Sequence, residues 1–144
     1  MAAAAKLYSP EVLALATSLA KYPLLDELPL RGQARSPACG SALVLGLSVD
    51  AAGQIARIGL RAQACAIGQA SAAIFANGAV GRDREQIAAM LAAMQRWLTG
   101  EAAIPDWPGL AVVAPARDYP GRHGAMMLAW KAAYEALSSA PQQG

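Results

Sequence analysis

Ser36-Pro37-Ala38-Cys39-Gly40-Ser41, running on through Ala42-Leu43-Val44-Leu45-Gly46-Leu47-Ser48-Val49, is the stretch that decides the fold. Leu43, Leu45, Leu47 and Val49 alternate with Ala42, Val44, Gly46 and Ser48, the period-two pattern of a half-buried strand. Asp50-Ala51-Ala52-Gly53 supplies a turn. The next run sets Ile58, Leu60, Ala62 and Ala64 on one face against Arg57, Gly59, Arg61 and Gln63 on the other, so the two runs predict an antiparallel hairpin. Upstream, residues 23–37 carry Pro23, Pro29, Gly32 and Pro37, which predicts a loop with at most a short edge strand around Gly32–Ser36. Pro37 stiffens the approach to Cys39 and Gly40 permits unusual backbone angles, which presents a thiol on a rigid turn.

On either side of the hairpin the period changes to that of helices. Ser9 before Pro10 reads as an N-cap with proline at the first helical position, and Val12, Leu13, Ala16, Leu19 and Ala20 mark one face before Tyr22-Pro23 ends the helix. After Cys65, Ile67, Ala70, Ser71, Ile74 and Asn77 lie three or four apart, with Gly78 and Gly81 closing that helix. Asp83 and Gln86 have capping-box spacing ahead of Ile87, Met90, Leu91, Met94, Trp97 and Leu98, and Gly100 terminates the run. Residues 101–121 hold Pro105, Pro108, Pro115 and Pro120 and read as a connector with one short turn around Trp107–Val112. Pro120 then opens a last helix with Met126, Trp130, Ala133 and Leu137 inward. The expectation is one α+β domain over residues 1–144, a small three-stranded antiparallel sheet packed against about four to five helices, with 1–6 and 138–144 frayed.

Composition narrows the function. At 144 residues the chain can bury a core without disulfide or metal staples, and its 56% apolar content is inflated by alanine. A net charge of +2 with Arg31, Arg35, Arg57, Arg61, Arg82 and Arg84 interleaved among acids gives no support to nucleic-acid binding. Three tryptophans and four tyrosines are scattered and form no stacking platform. The apolar run Val12–Ala20 is flanked by Glu11 and Lys21 and reads as amphipathic helix rather than signal peptide, and no stretch reaches the ~18 apolar residues of a membrane span. A soluble, cytoplasmic protein is expected. No nucleophile elbow, phosphate loop or dinucleotide fingerprint occurs, and the role expected is noncatalytic.

The two cysteines, Cys39 and Cys65, are too few for a disulfide framework and are not spaced as CxxC. Cys65 falls where a strand hands over to a helix, beside the unpaired amides of a helix start, a setting that suits a sulfur able to bind metal or attack sulfur. Each is equally readable as a small buried hydrophobe. His123, the single histidine, lies in the first turn of the last helix as a ligand, a solvated group or a packing residue. The Met126-Met127 pair reads as core.

Taken in order, Pro37-Ala38-Cys39-Gly40-Ser41, the hairpin, Ala64-Cys65-Ala66-Ile67-Gly68-Gln69-Ala70-Ser71-Ala72, Gly78-Ala79-Val80-Gly81, and Pro120-Gly121-Arg122-His123 with Leu128-Ala129-Trp130-Lys131-Ala132 resemble the IscU/SufU/NifU iron–sulfur cluster scaffold family, from about Leu7 to Leu137. The resemblance implies an IscU/NifU-like fold that presents three cysteines and an aspartate at one end, where a [2Fe–2S] cluster is assembled or zinc binds. It implies a cysteine desulfurase as sulfur donor and recipient apo-proteins as further partners. Cys39 and Cys65 match the first two cysteines, Ser41 stands in the place of the aspartate, and Ala125 falls where the third cysteine belongs. A closed site needs four good ligands, so the implied repair is a Cys39–Cys65–His123 set holding iron, a cluster or zinc, completed by water, Ser41 or a partner; another repair pairs two copies of the chain around one bridging cluster. No Leu-Pro-Pro-Val-Lys type chaperone segment is present; Ala114-Pro115-Ala116-Arg117 stands nearby. The competing readings are an assembly scaffold or carrier, a zinc-bound or metal-free sulfur acceptor that has lost cluster assembly, and an interaction protein with both thiols buried.

Overall fold

The structure, a computed structural model, describes residues 7–38 and 40–139. Helix α1 spans Pro10–Ser18 and runs on into a 3-10 turn at Leu19–Lys21, followed by strands β1 (Leu30–Ser36), β2 (Ser41–Val49) and β3 (Ile55–Gln63). Helices α2 (Ala66–Ala79) and α3 (Arg84–Leu98) come next, then 3-10 segments at Leu110–Asp118 and Pro120–Arg122, and α4 (His123–Ser138). The sheet is three-stranded and antiparallel in the order β1-β2-β3. This is the expected fold class. The edge strand is longer than the prolines suggested, because all seven residues from Leu30 to Ser36 find partners on β2.

Register sets which side of the sheet is buried. Leu43, Leu45 and Leu47 of β2 face inward with Leu60 of β3 and are almost wholly buried. Helix α4 lies along β1 and β2 on this inner face, α2 packs beside it, α1 covers α2, and α3 backs onto α4. On the outer face the loop between α1 and β1 crosses the sheet where the Cα partners Gly46 and Gly59 remove side chains. A Cβ at Gly46 would come 2.8 Å from the Leu28 Cβ, and one at Gly59 would drive into the Pro23 carbonyl. That crossing buries Leu28 to 1% exposure and leaves the rest of the outer face open.

The helix starts form as the sequence predicts: Ser9 accepts from the Val12 amide, and Asp83 and Gln86 complete a capping box. Four details differ. The inner face of α1 is Val12 with Leu15 and Leu19, while Leu13 is 50% exposed and Ala20 is exposed, because the helix leans on α2 through the Val12 stripe. Asn77 is exposed, since α2 is sandwiched by α1, α4 and the connector and buries a face set by them. Gly78 does not close α2 but lies within it, where a Cβ would sit 2.8 Å from the Trp107 Nε1. The connector is more ordered than its prolines suggest: Trp107 donates to the Ile74 carbonyl (2.9 Å), stacks on Phe75 at 5.6 Å, meets Trp130 edge-on at 5.3 Å and carries the Arg82 guanidinium over its ring at 4.0 Å. Met126 and Met127 are core, as expected. Of the segments expected to fray, 1–6 and 138–144, residues 1–6 and 140–144 lie outside the described residues, and Ser138 is the last residue of α4. None of the described helices is long and apolar enough to cross a membrane.

Candidate functional site

Cys65 is the N-cap of α2, with extended backbone (φ −64°, ψ 170°), and its half-buried thiol is free. The residues around it are held from both sides: the Gln69 side chain donates to the Ala64 carbonyl at 2.9 Å and the Gln69 amide to the Cys65 carbonyl at 2.9 Å. No side-chain capping bond forms at Cys65.

Two close approaches gather the surrounding elements at this end. A Cβ on Gly68, in the first turn of α2, would lie 2.7 Å from the Ala64 Cβ and 3.3 Å from the Ala125 Cβ, so α2 and α4 touch there through small residues. A Cβ on Gly124 would collide with Ser36 Oγ, so the end of β1 rests on the start of α4. Ser36 and Ser41 are Cα partners flanking the connection 37–40, and both are buried. Cys39 lies in that connection and outside the described residues.

Ser41, Cys65 and Ala125 therefore belong to elements that meet at one end of the molecule. His123 is placed differently. Its Nε2 lies 2.6 Å from the Arg117 carbonyl, an acceptor only, so Nε2 carries the proton and any ligation falls to Nδ1. Two residues along a helix are ~200° around its axis, so His123 stands almost across α4 from Ala125. It lines a cleft of about 440 Å³ with Gln95, Arg96, Thr99, Glu101 and Met127, beside the end of α3. Sequence adjacency to position 125 concealed this; the 3.6-residue repeat is the signal that reveals it.

Among the described residues no group of three or more His, Cys, Asp or Glu side chains is placed to hold a metal ion. With Ala125 offering no donor atom and Ser41 a neutral hydroxyl, the described residues do not fit a closed four-ligand metal or cluster site. What the end does offer is a free thiol on a rigid cap. Sequence reasoning missed Gly68 and Gly124, whose role lies in contacts distant along the chain.

No family model matches the sequence. The chain is 26% identical over 132 residues to the iron–sulfur cluster assembly scaffold protein IscU of Thermotoga maritima, covering 91% of this chain and 92% of that protein. The fold superposes on the crystal structure of an N-terminal, nitrogen-fixing NifU-like protein from Brucella abortus with a TM-score of 0.85 at 25% identity, covering 94% and 95% of the two chains. A protein assigned as an iron–sulfur cluster assembly scaffold for the SUF system of Fervidobacterium islandicum matches in fold with a TM-score of 0.76 at 19% identity, over 92% of this chain and 98% of its own. By sequence and fold together, the chain is IscU/SufU/NifU-like, similar to iron–sulfur cluster scaffold proteins over nearly its whole length.

Proposed function

We propose that this chain is a divergent, noncatalytic, single-domain member of its family that accepts sulfur from a cysteine desulfurase on Cys39 or Cys65 and holds no resident cluster. The observation that carries this reading is Ala125. It stands where the family's third cysteine belongs, is 1% exposed, and presses its methyl group against the first turn of α2, the turn capped by Cys65. The place of a ligand is filled by packing. His123 does not replace it, because two residues along α4 set it ~200° around the helix axis from Ala125, beside the Arg117 carbonyl.

Sulfur acceptance asks less of the site. A cysteine thiolate attacks the outer sulfur of a donor persulfide; the new S–S bond forms as the donor's S–S bond breaks, and its electron pair leaves on the donor thiolate. Persulfide is exchanged for persulfide, with no net oxidation and no metal. Recipient apo-proteins then take the sulfur by the reverse exchange. Cys65 favours this role over the buried-hydrophobe reading because it is half-exposed and fills a cap position that its sulfur does not cap.

The test is mass spectrometry of the intact protein after incubation with a cysteine desulfurase and cysteine under anaerobic conditions. The expected product carries the mass of one added sulfur, localised to Cys39 or Cys65 and removed by reductant. Absence of that adduct on both cysteines while the desulfurase itself is persulfurated overturns the proposal.

A further inference from the structure

The outer face of the sheet holds a trough that the sulfur chemistry does not use. Arg35, Ala42 and Gln63 are Cα partners in one row across the three strands, and Gln33, Val44 and Arg61 form the next. In both rows, long polar side chains on β1 and β3 flank a short or apolar residue of β2, so Ala42 and Val44 form a floor between two walls. The rows are ~7 Å apart along the strands and the walls ~10 Å apart across them. The following row, Gly46 and Gly59, is covered by Leu24, Leu28 and the Pro23 carbonyl, which closes the trough at that end. At the opposite end it opens into a cavity of about 180 Å³ lined by Arg35, Ser36, Gly40, Ser41, Ala42 and Gln63.

Arg35, Arg61 and Gln63 are exposed, and among the described residues their side chains make no hydrogen bond or ion pair. Among the described residues no acid lines the cavity. Glu135 lines a notch at the β1 edge that shares Gln33 and Val44 with the trough, and Arg35 is not among its lining residues. By contrast, Arg57 on the same face of β3 is already paired with Glu27 at 3.5 Å. Two uncompensated guanidiniums and a carboxamide thus surround an apolar floor wide enough for one extended chain. Guanidinium forks bind carboxylates with two parallel hydrogen bonds, and the floor suits a peptide backbone better than a lone hydrated ion.

We propose that this trough binds an acidic segment of a partner protein, its carboxylates held by Arg35 and Arg61 and its chain lying on Ala42 and Val44. The trough abuts the 37–40 connection, so a bound segment sits next to the turn that bears one of the two cysteines. The inference does not depend on sulfur passing through either cysteine.

The experiment is a titration of isotope-labelled protein, followed by amide and arginine side-chain NMR, with a blocked Gly-Asp-Glu-Asp-Glu-Gly peptide. The same peptide with Asn and Gln replacing the acids, and sodium acetate at matched ionic strength, serve as comparisons. Saturable shifts at Ala42, Val44 and Arg35 are expected with the acidic peptide only, with affinity reduced about tenfold or more in R35Q/R61Q and unchanged in R57Q. Equal binding of the amide peptide, equal binding of acetate, or an R35Q/R61Q variant that binds like wild type would each overturn it. Exposed Arg→Gln changes leave the fold intact, so loss of binding reads on the trough itself.

Discussion

Replacing Cys65 by serine and by alanine separates what the sulfur does from what a cap would do. Ser9 and Cys65 cap their helices with nearly the same backbone, φ −64° and ψ 162° against φ −64° and ψ 170°, yet only Ser9 makes the side-chain bond, to the Val12 amide at 3.2 Å. A serine at position 65 therefore has the geometry to satisfy an amide in the first turn of α2. Both variants lose the same half-buried sulfur, so their difference isolates the cap, worth about 1 kcal/mol in favour of serine. For a domain of this size that is about 3–5 °C in melting temperature. Urea unfolding followed by circular dichroism gives the free-energy difference directly. Equal stability of Cys65→Ser and Cys65→Ala would refute the reasoning, because it would mean that the start of α2 is satisfied without a side-chain cap. A cysteine retained where serine stabilises is what a functional thiol predicts, since sites of function are where local rules are broken.

Gly78→Ala should destabilise by about 1–3 kcal/mol in urea titrations, although helix propensity alone favours alanine by ~1 kcal/mol, because the new methyl meets the Trp107 indole at 2.8 Å. A stabilised variant with unchanged tryptophan fluorescence would dissociate Trp107 from α2. Ala125→Cys should cost about 1–3 kcal/mol by the same assay, since the site is 1% exposed and already in contact with Gly68. A neutral result there would show room for a ligand that the packing denies.

The parts of the fold that were legible are those whose cause is local. β2 and β3 follow from strict alternation, α3 from its capping box, and the Ser9-Pro10 start of α1 from side chains a few residues apart. The parts that were not legible depend on distant partners. Gly78 looked like a helix terminator until Trp107, far along the chain, was seen to occupy its Cβ position. Leu13 looked like core until α2 selected the Val12 stripe instead. The proline-rich connector is ordered because Trp107, Leu110 and Val113 reach the core, a pattern that prolines mask. In the site, the end that gathers Ser41, Cys65 and Ala125 follows from the strand order, whereas the orientation of His123 depends on a carbonyl of the connector. Chain proximity of His123 to Ala125 suggested substitution of one ligand by another; helical geometry separates them.

The central claim, that this IscU/SufU/NifU-like chain carries sulfur without a resident cluster, is tested most directly by iron, sulfide and zinc analysis with a visible spectrum on protein purified and reconstituted without oxygen. The account predicts colourless protein lacking stoichiometric iron and sulfide after desalting. Charge-transfer absorption with stoichiometric iron and sulfide, abolished in Cys65→Ala, would contradict it.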